Sequence, residues 1–129
     1  MNAREVRPVL ERLVKRSSAE LLVKEPHWGD AILCDALVEA SATLDSDAPL
    51  QAAIGWFEPR LSRGPKLTGW FWFWAAEALA AVDLHLVTRR ADFLNYAREV
   101  VVAFETNTTR TADGEIGRAS CRERVCLYV

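Results

Sequence analysis

Three short segments of the sequence combine aromatic rings, acids and cations, the side chains with which proteins bind sugars and other polar small molecules. They are residues 26–30 (PHWGD), 64–70 (GPKLTGW) and 109–114 (TRTADG). Aromatic rings in a concave site cover the apolar faces of a ligand, and a few polar groups fix its orientation. A cation in the same site can pair with a substrate carboxylate. The candidate substrate-binding residues are Trp28, Asp30, Trp70, Arg110 and Asp113.

Each of these residues also has a purely structural interpretation. The tryptophans can fill a helical core, Asp30 can cap a helix N-terminus, and Asp113-Gly114 is a common turn pair. The two histidines, His27 and His85, lack the spacing of metal ligands, and no Cys/His/Asp cluster indicates a zinc site. The phosphate-binding and nucleophile-elbow motifs are absent from the sequence. The motifs alone therefore indicate no more than a soluble helical domain with a possible pocket, and we expect no metal or cofactor.

Composition and charge argue against two classes of partner. The formal net charge is −2, and the cations are scattered among more numerous acids, so we expect no nucleic-acid binding. The N-terminus, MNAREVRPVLERLVKR, is charged and amphipathic, unlike a secretory signal. The most apolar stretch, LTGWFWFWAAEALAAV, contains Glu77 and is shorter than the roughly 20 residues that span a bilayer. The sequence thus predicts a cytoplasmic protein with no membrane partner.

Apolar periodicity predicts an all-α chain of five helices, at about residues 3–24, 30–44, 47–61, 68–87 and 90–106. We find no strand alternation and no hairpin signal. Pro8 is harmless if the first helix begins near it, whereas Pro59 is expected to bend or end the third helix. In the first helix the stripe expected to face the core consists of Val6, Leu10, Leu13 and Val14.

The helices alternate in character along the chain. The first and fifth are amphipathic and the third partly so, whereas the second and fourth are apolar almost all round and are expected to be buried. Successive α-hairpins give this order in an α/α toroid, where an outer ring of helices surrounds an inner ring. A helical solenoid can also stack hairpins, but no internal repeat of fixed period is evident. A toroid is therefore favoured, and it would bring the three aromatic and charged segments to one end.

At the same segments the sequence resembles the unsaturated-uronide hydrolases of glycoside hydrolase families 88 and 105. Residues 27–40 (HWGDAILCDALVEA) look like the early W-G-x-A helix of these enzymes. Residues 86–97 (LVTRRADFLNYA) look like their helix with a spaced Thr, Tyr and Ala, and residues 110–115 (RTADGE) like their R-x-x-D-G loop. The resemblance implies a six-hairpin (α/α)6 toroid, of which this chain is the N-terminal and incomplete part.

The resemblance also implies a reaction, the removal of a terminal 4,5-unsaturated uronic acid from a small oligosaccharide by hydration of its vinyl ether. An aspartate protonates the C4 side and activates water for C5, without a cofactor. In the family this aspartate opens the next inner helix, which would lie beyond Glu115, so no catalytic residue is assigned here and the chain alone is expected to be inactive. The family's acidic residue at the start of the fourth helix has no counterpart, because that position offers only Lys66 and Thr68.

The last residues of the chain, 116–129 (IGRASCRERVCLYV), resemble a translated sequencing adapter rather than a protein segment. The bases ATC GGA AGA GCG TCG TGT AGG GAA AGA GTG, which resemble a short-read sequencing adapter, translate to IGRASCRERV. We therefore expect residues 1–115 to be a fragment of a glycosidase-like domain and residues 116–129 to be a tail of non-biological origin. Without the tail Cys34 is the only cysteine, so no internal disulfide can form.

Two other functions fit the same residues. A non-enzymatic α-helical scaffold could bind a partner through its tryptophan-rich surface. Another α/α-toroid sugar enzyme, such as an epimerase, could use the same pocket. A carbohydrate pocket at the shared loop end would favour an enzyme, and a long concave groove would favour the scaffold.

Overall fold

A computed structural model of the chain describes residues 3–23, 29–65, 71–110 and 116–118. Within these residues it confirms the all-α class, because five helices make up the architecture. They are α1 (Ala3–Val23), α2 (Gly29–Leu44), α3 (Asp47–Arg63), α4 (Phe71–Thr88) and α5 (Ala91–Asn107).

One pair of short strands comes after the helices. Strands β1 (Thr108–Arg110) and β2 (Ile116–Arg118) are antiparallel, with Thr108 opposite Arg118 and Arg110 opposite Ile116. The expectation of no hairpin was wrong in this detail, because three-residue strands are too short for an alternating pattern to appear in sequence. Backbone groups alone make such a pairing, so it does not bear on the origin of residues 116–129.

Two very short turns make α2–α3 and α4–α5 antiparallel hairpins. In each turn the first residue adopts the left-handed conformation that ends many helices, at Asp45 (φ 53°) and Arg89 (φ 61°). The amide of Ser46 donates to the Ser41 carbonyl (3.1 Å) and that of Arg89 to the His85 carbonyl (2.8 Å). These bonds give a donor to carbonyl groups near the helix ends, which would otherwise lack a hydrogen-bond partner.

Both prolines lie inside their helices. Helix α3 continues through Pro59 to Arg63, and α1 begins at Ala3, ahead of Pro8. Proline at position 59 leaves the Gly55 carbonyl without its helical donor. The buried side chains Phe57 and Arg60 flank that position, so packing against the core holds the helix on both sides of the proline.

The core is centred on the α2–α3 and α4–α5 hairpins. The ring of Phe57 is fully buried and meets Phe93 and Tyr96 edge to face, with centroids 5.6 and 5.0 Å apart. Such contacts add to the free energy gained by burying the rings. Other buried members include Leu37 and Leu84.

Helix α1 contacts this core with only part of the predicted stripe. Leu21 is buried and Val14 packs against the core cluster, as expected of an amphipathic helix. However, Val6 and Leu13 are 36% and 57% exposed, so these two members of the predicted stripe face away from the core. A helix with apolar residues on more than one side leaves the choice of buried side to packing.

The helices form two layers. Helix α2 packs on α3 and α4, α4 packs on α5, and α1 packs on α2 and α3, whereas α3 contacts α4 and α5 over only a few residues each, among them the Arg60–Glu77 pair. One layer is therefore α2 with α4, and the other is α1, α3 and α5. This arrangement agrees with the predicted alternation of the helices.

Helix α4 is not buried on every side in this chain. Leu79 and Leu86 of α4 are 66% and 52% exposed, and Ile32 of α2 is 54% exposed. These residues and the neighbouring acids occupy the side of the α2–α4 layer that the other helices do not cover. We call the surface formed by Ile32, Asp35, Glu39, Leu79, Asp83 and Leu86 the open face.

Candidate functional site

Most of the predicted substrate-binding residues cannot be placed. Trp28, Trp70 and Asp113 lie outside the described residues, as do Lys66 and Thr68. Arg110 is the last residue of β1, where it pairs with Ile116, and its side chain is not described. The structure therefore does not test whether these residues converge at one end.

Asp30 is the one predicted site residue whose side chain is described. It lies in the first turn of α2, one position inside the helix rather than at the cap, and is only 6% exposed. A carboxylate in a first turn is stabilised by the positive end of the helix dipole. Its position just after residues 26–28 keeps it near the predicted pocket, but its burial favours a structural role.

Two aspartates meet where α2 and α4 pack together. The carboxyl groups of Asp35 and Asp83 are hydrogen-bonded to each other, and Glu39 adds a third negative charge nearby. Burial raises the pKa of Asp83 to about 6, and the hydrogen bond and charge of Asp35 and the charge of Glu39 act in the same direction. Like charges this close favour keeping one proton between them.

The pair has one property that a general acid needs, a raised pKa. A carboxylic acid with a pKa near 6 can hold a proton near neutral pH and deliver it to a bound group. Its surroundings on the open face are aliphatic, with Leu79 and Leu86 on the same side of α4. Among the described residues no group of His, Cys, Asp and Glu side chains could hold a metal ion.

A second polar cluster is buried between α3, α4 and α5. The Arg60 Nε donates to Glu77 Oε1 (3.1 Å), and the Tyr96 hydroxyl donates to Glu77 Oε2 (2.5 Å). The side chains of Arg60 and Glu77 are 7% and 13% exposed. Arg60 also donates to the Trp56 carbonyl (2.7 Å), and its guanidinium lies 3.4 Å from the Trp56 ring centroid.

This cluster is built for structure rather than for a ligand. Both Glu77 oxygens accept a hydrogen bond from the protein, and the guanidinium is occupied by a carboxylate, a carbonyl and a ring. Burial and the Glu77 carboxylate raise the pKa of Tyr96, so the phenol stays protonated as the donor. A satisfied buried network fixes the relative positions of three helices.

The turn between α4 and α5 carries a further ionic cluster, at the surface. Arg90 pairs with Glu58 of α3 (2.5 Å) and with Asp92 (2.6 Å), and its guanidinium lies over the Phe93 ring. Within α4, His85 Nδ1 lies 2.8 Å from the Arg90 carbonyl oxygen. These contacts tie the second hairpin to α3, and they leave His85 in a structural role.

Cys34 is not a candidate nucleophile. The thiol is fully buried against α3, with Sγ 3.8 Å from the Ala53 carbonyl oxygen. Burial raises its pKa to about 12, so the reactive thiolate does not form at neutral pH.

A recess of about 490 Å³ lies between α1 and the α2–α3 turn. Its cation Arg7 already binds the Leu44 carbonyl (2.8 Å) and Glu11 (3.0 Å). The Ser18 hydroxyl oxygen is buried nearby and lacks a hydrogen-bond partner among the described residues. Because cations and acids are mixed along the recess, it has no charge preference that would select a ligand.

The contacts among these polar side chains were not predicted from the sequence. Asp35, Glu39, Glu77 and Asp83 were visible only as single acids that interrupt two apolar helices. An acid on a helix expected to be buried needs a partner, and that requirement was the available signal. Which acid meets an arginine and which meets another acid depends on how α2, α3, α4 and α5 pack.

No protein-family profile, curated protein sequence or solved structure matches the chain. Among the described residues, none of the helices has the length and apolar character needed to cross a membrane.

Proposed function

We propose that this chain is the N-terminal part of an α/α-toroid sugar enzyme of the unsaturated-uronide hydrolase type. The complete enzyme would remove a terminal 4,5-unsaturated uronic acid from a small oligosaccharide. The observation that supports this proposal most is the two-layer packing, with α2 and α4 side by side and α1, α3 and α5 behind them. Inner and outer helices of a toroid alternate along the chain in this way.

The open face supports the same proposal. Helix α4 buries Ala80, Ala81 and Leu84 on one side and exposes Leu79 and Leu86 on the other. A helix with two apolar sides is stable in water when both are covered. In a toroid the next inner helix packs beside α4 and covers part of the second side. The exposed leucines are therefore expected where the chain continues into further hairpins.

The proposal assigns the binding groups to the connections that lead into the inner layer. Residues 26–28 precede α2 and residues 66–70 precede α4, so their tryptophans would line one end of the ring. Trp28 and Trp70 would stack on sugar rings, and Arg110 would pair with the uronate carboxylate. The proton donor would come from a helix beyond residue 115, and no cofactor takes part.

The first test is to amplify the locus from source DNA and sequence past codon 115. We expect an open frame that encodes a histidine and then a W-x-D-like helix start. The extended protein should consume an unsaturated uronide disaccharide, measured by the loss of ultraviolet absorbance of its conjugated double bond. Arg110→Ala should lower that activity, whereas Arg98→Ala, an exposed arginine of α5, should not. Genomic DNA that encodes IGRASCRERVCLYV and a stop would reject the proposal.

A helical scaffold without catalytic activity is the second candidate. One observation favours it, since the buried Arg60–Glu77–Tyr96 cluster is fully engaged in structure. The exposed apolar residues would then be a binding surface for another protein. An extended frame that continues in helical hairpins but leaves the disaccharide unchanged would favour this candidate over the hydrolase.

A further inference from the structure

The charged side chains of the open face are all acids. Helices α2 and α4 contain five acids, Asp30, Asp35, Glu39, Glu77 and Asp83, and not one lysine or arginine. The charge of Glu77 is compensated by the buried Arg60 of α3, and Asp30 is itself buried. The three remaining carboxyl groups, on Asp35, Glu39 and Asp83, lie together among exposed aliphatic side chains.

Helix α1 presents the complementary combination on its outer side. Val9 and Leu13 are 43% and 57% exposed, and they continue the exposed Val6 along one stripe of the helix. Arg12 and Arg16 are exposed beside this stripe, and Arg16 also pairs with Glu20 one turn further along the helix (2.8 Å). Across Ala3–Val23 the cations outnumber the acids, with Arg4, Arg7, Arg12, Lys15 and Arg16 against Glu5, Glu11 and Glu20.

The two surfaces cannot meet within one molecule. Helix α1 is already packed on α2 and α3 through its inner side, where Val14 and Leu21 contact the core. Its outer stripe therefore points away from the protein to which it belongs. A second copy of the chain can bring that stripe onto the open face without any change in fold.

We propose that copies of this chain associate head to tail, with the outer stripe of α1 of one copy bound to the open face of the next. The aliphatic side chains Val9 and Leu13 would pack on Leu79 and Leu86. Arg12 and Arg16 would approach Asp35, Glu39 and Asp83. Apolar packing would supply most of the affinity, and the charges would set the orientation.

The proposed contact joins two different surfaces, so it leaves one stripe and one open face unused at the ends of every assembly. Such a heterologous contact either closes into a ring or continues as a chain of copies. The inference does not rest on the proposed enzymatic function, although the complete toroid would cover part of the open face with its own next inner helix. In a longer protein, further hairpins of the same chain would compete for these two surfaces.

The test is sedimentation velocity of the full chain and of two variants over a range of concentrations. Val9→Gln/Leu13→Gln removes the apolar stripe, and Leu79→Gln/Leu86→Gln removes the apolar part of the open face. All four side chains are more than a third exposed, so the fold should persist, which far-ultraviolet circular dichroism checks. We expect wild type to associate, and each variant to raise the dissociation constant at least about tenfold.

An equimolar mixture of the two variants is the decisive sample. The first variant keeps its open face and the second keeps its α1 stripe, so together they should form one contact and stop at a dimer. The matched control is Val101→Gln/Val102→Gln, which removes two exposed valines of α5 and should associate like wild type. Arg12→Glu should also weaken association, whereas Arg98→Glu on α5 should not.

Three results would overturn the proposal. One is a wild type that stays monomeric up to about 100 µM, the weak end of specific association. Another is a mixture of the two variants that remains monomeric, because a head-to-tail contact requires that they complement each other. The third is an α5 control that dissociates as much as the two interface variants. None of these results depends on the genomic sequence past codon 115, so failure here and failure of the hydrolase proposal are separable.

Discussion

Two acids less than two turns apart on α4 have opposite surroundings. Glu77 is buried between an arginine and a tyrosine and accepts a hydrogen bond on each oxygen. Asp83 is hydrogen-bonded to another aspartate, a glutamate lies nearby, and burial together with these acids raises its pKa. On the same helix, the negative charge of Glu77 is compensated by an arginine, whereas that of Asp83 is repelled by neighbouring acids. The difference shows that packing partners, rather than the residue type or the helix, decide whether a carboxylate on an apolar helix stabilises the fold.

The largest expected effect comes from separating Glu77 from its cation. Arg60→Met should lower the free energy of unfolding by about 3–5 kcal/mol, because it leaves a buried carboxylate without a partner. Arg60→Met/Glu77→Leu should recover much of that loss, since it removes the charge as well as its partner. Urea denaturation at neutral pH measures both. The control is Arg63→Met, an exposed arginine of the same helix, and a comparable loss there would contradict the explanation.

A smaller effect is expected on the other side of Glu77. Tyr96→Phe keeps the ring packed against Phe57 but removes the hydroxyl that donates to Glu77 Oε2. We expect a loss of about 1.5–3 kcal/mol, the usual contribution of a hydrogen bond to a charged group. Thermal unfolding measures it. An unchanged melting temperature would show that Arg60 alone compensates Glu77.

The Asp83 pair should give the smallest effect, and one of opposite sign at neutral pH. The folded-state pKa of Asp83, about 6, lies above its ordinary value of 3.8, so folding is favoured by protonation. This contribution is fully present below about pH 4 and is lost as the pH rises through 6. Asp83→Asn should therefore increase stability at pH 8 relative to wild type, by about 1 kcal/mol after allowing for solvent screening of a half-exposed group.

The pH dependence provides its own control. The difference in unfolding free energy between Asp83→Asn and wild type should shrink when the pH falls from 8 to 4. Asp35→Asn should act in the same direction, because it removes the partner that opposes ionisation of Asp83. A difference that stays constant over this range would mean that Asp83 titrates at its ordinary pKa.

The sequence predicted the helices well because local signals define them. Apolar periodicity placed all five helices, and the short turns after Leu44 and Thr88 were visible as polar interruptions. Predictions that depended on one residue were weaker. Pro59 was expected to bend or end α3, but the helix continues through it to Arg63. The flanking side chains Phe57 and Arg60 are both buried, and their packing outweighs the missing backbone bond.

The candidate site was much less predictable. Asp35 and Asp83 are far apart in sequence, and only the register of α2 against α4 brings their carboxyl groups together. The partnership of Arg60 with Glu77 likewise depends on how α3 approaches α4. A pattern within one helix contains no information about register between helices. The predicted residues Trp28, Trp70, Arg110 and Asp113 remain predictions, since their side chains lie outside the part of the chain that the structure describes.

The two short turns with left-handed Asp45 and Arg89 also have a consequence for folding kinetics. Because each turn joins helices that pack on each other, most of the hairpin contacts form between residues close in sequence. Closing such short loops has a small entropic cost, and chains rich in local contacts fold quickly. The α2–α3 and α4–α5 hairpins are thus natural folding units, each able to form before the α2–α4 contact joins them. A chain assembled in this way can lengthen by whole hairpins during evolution without altering the folding of those already present.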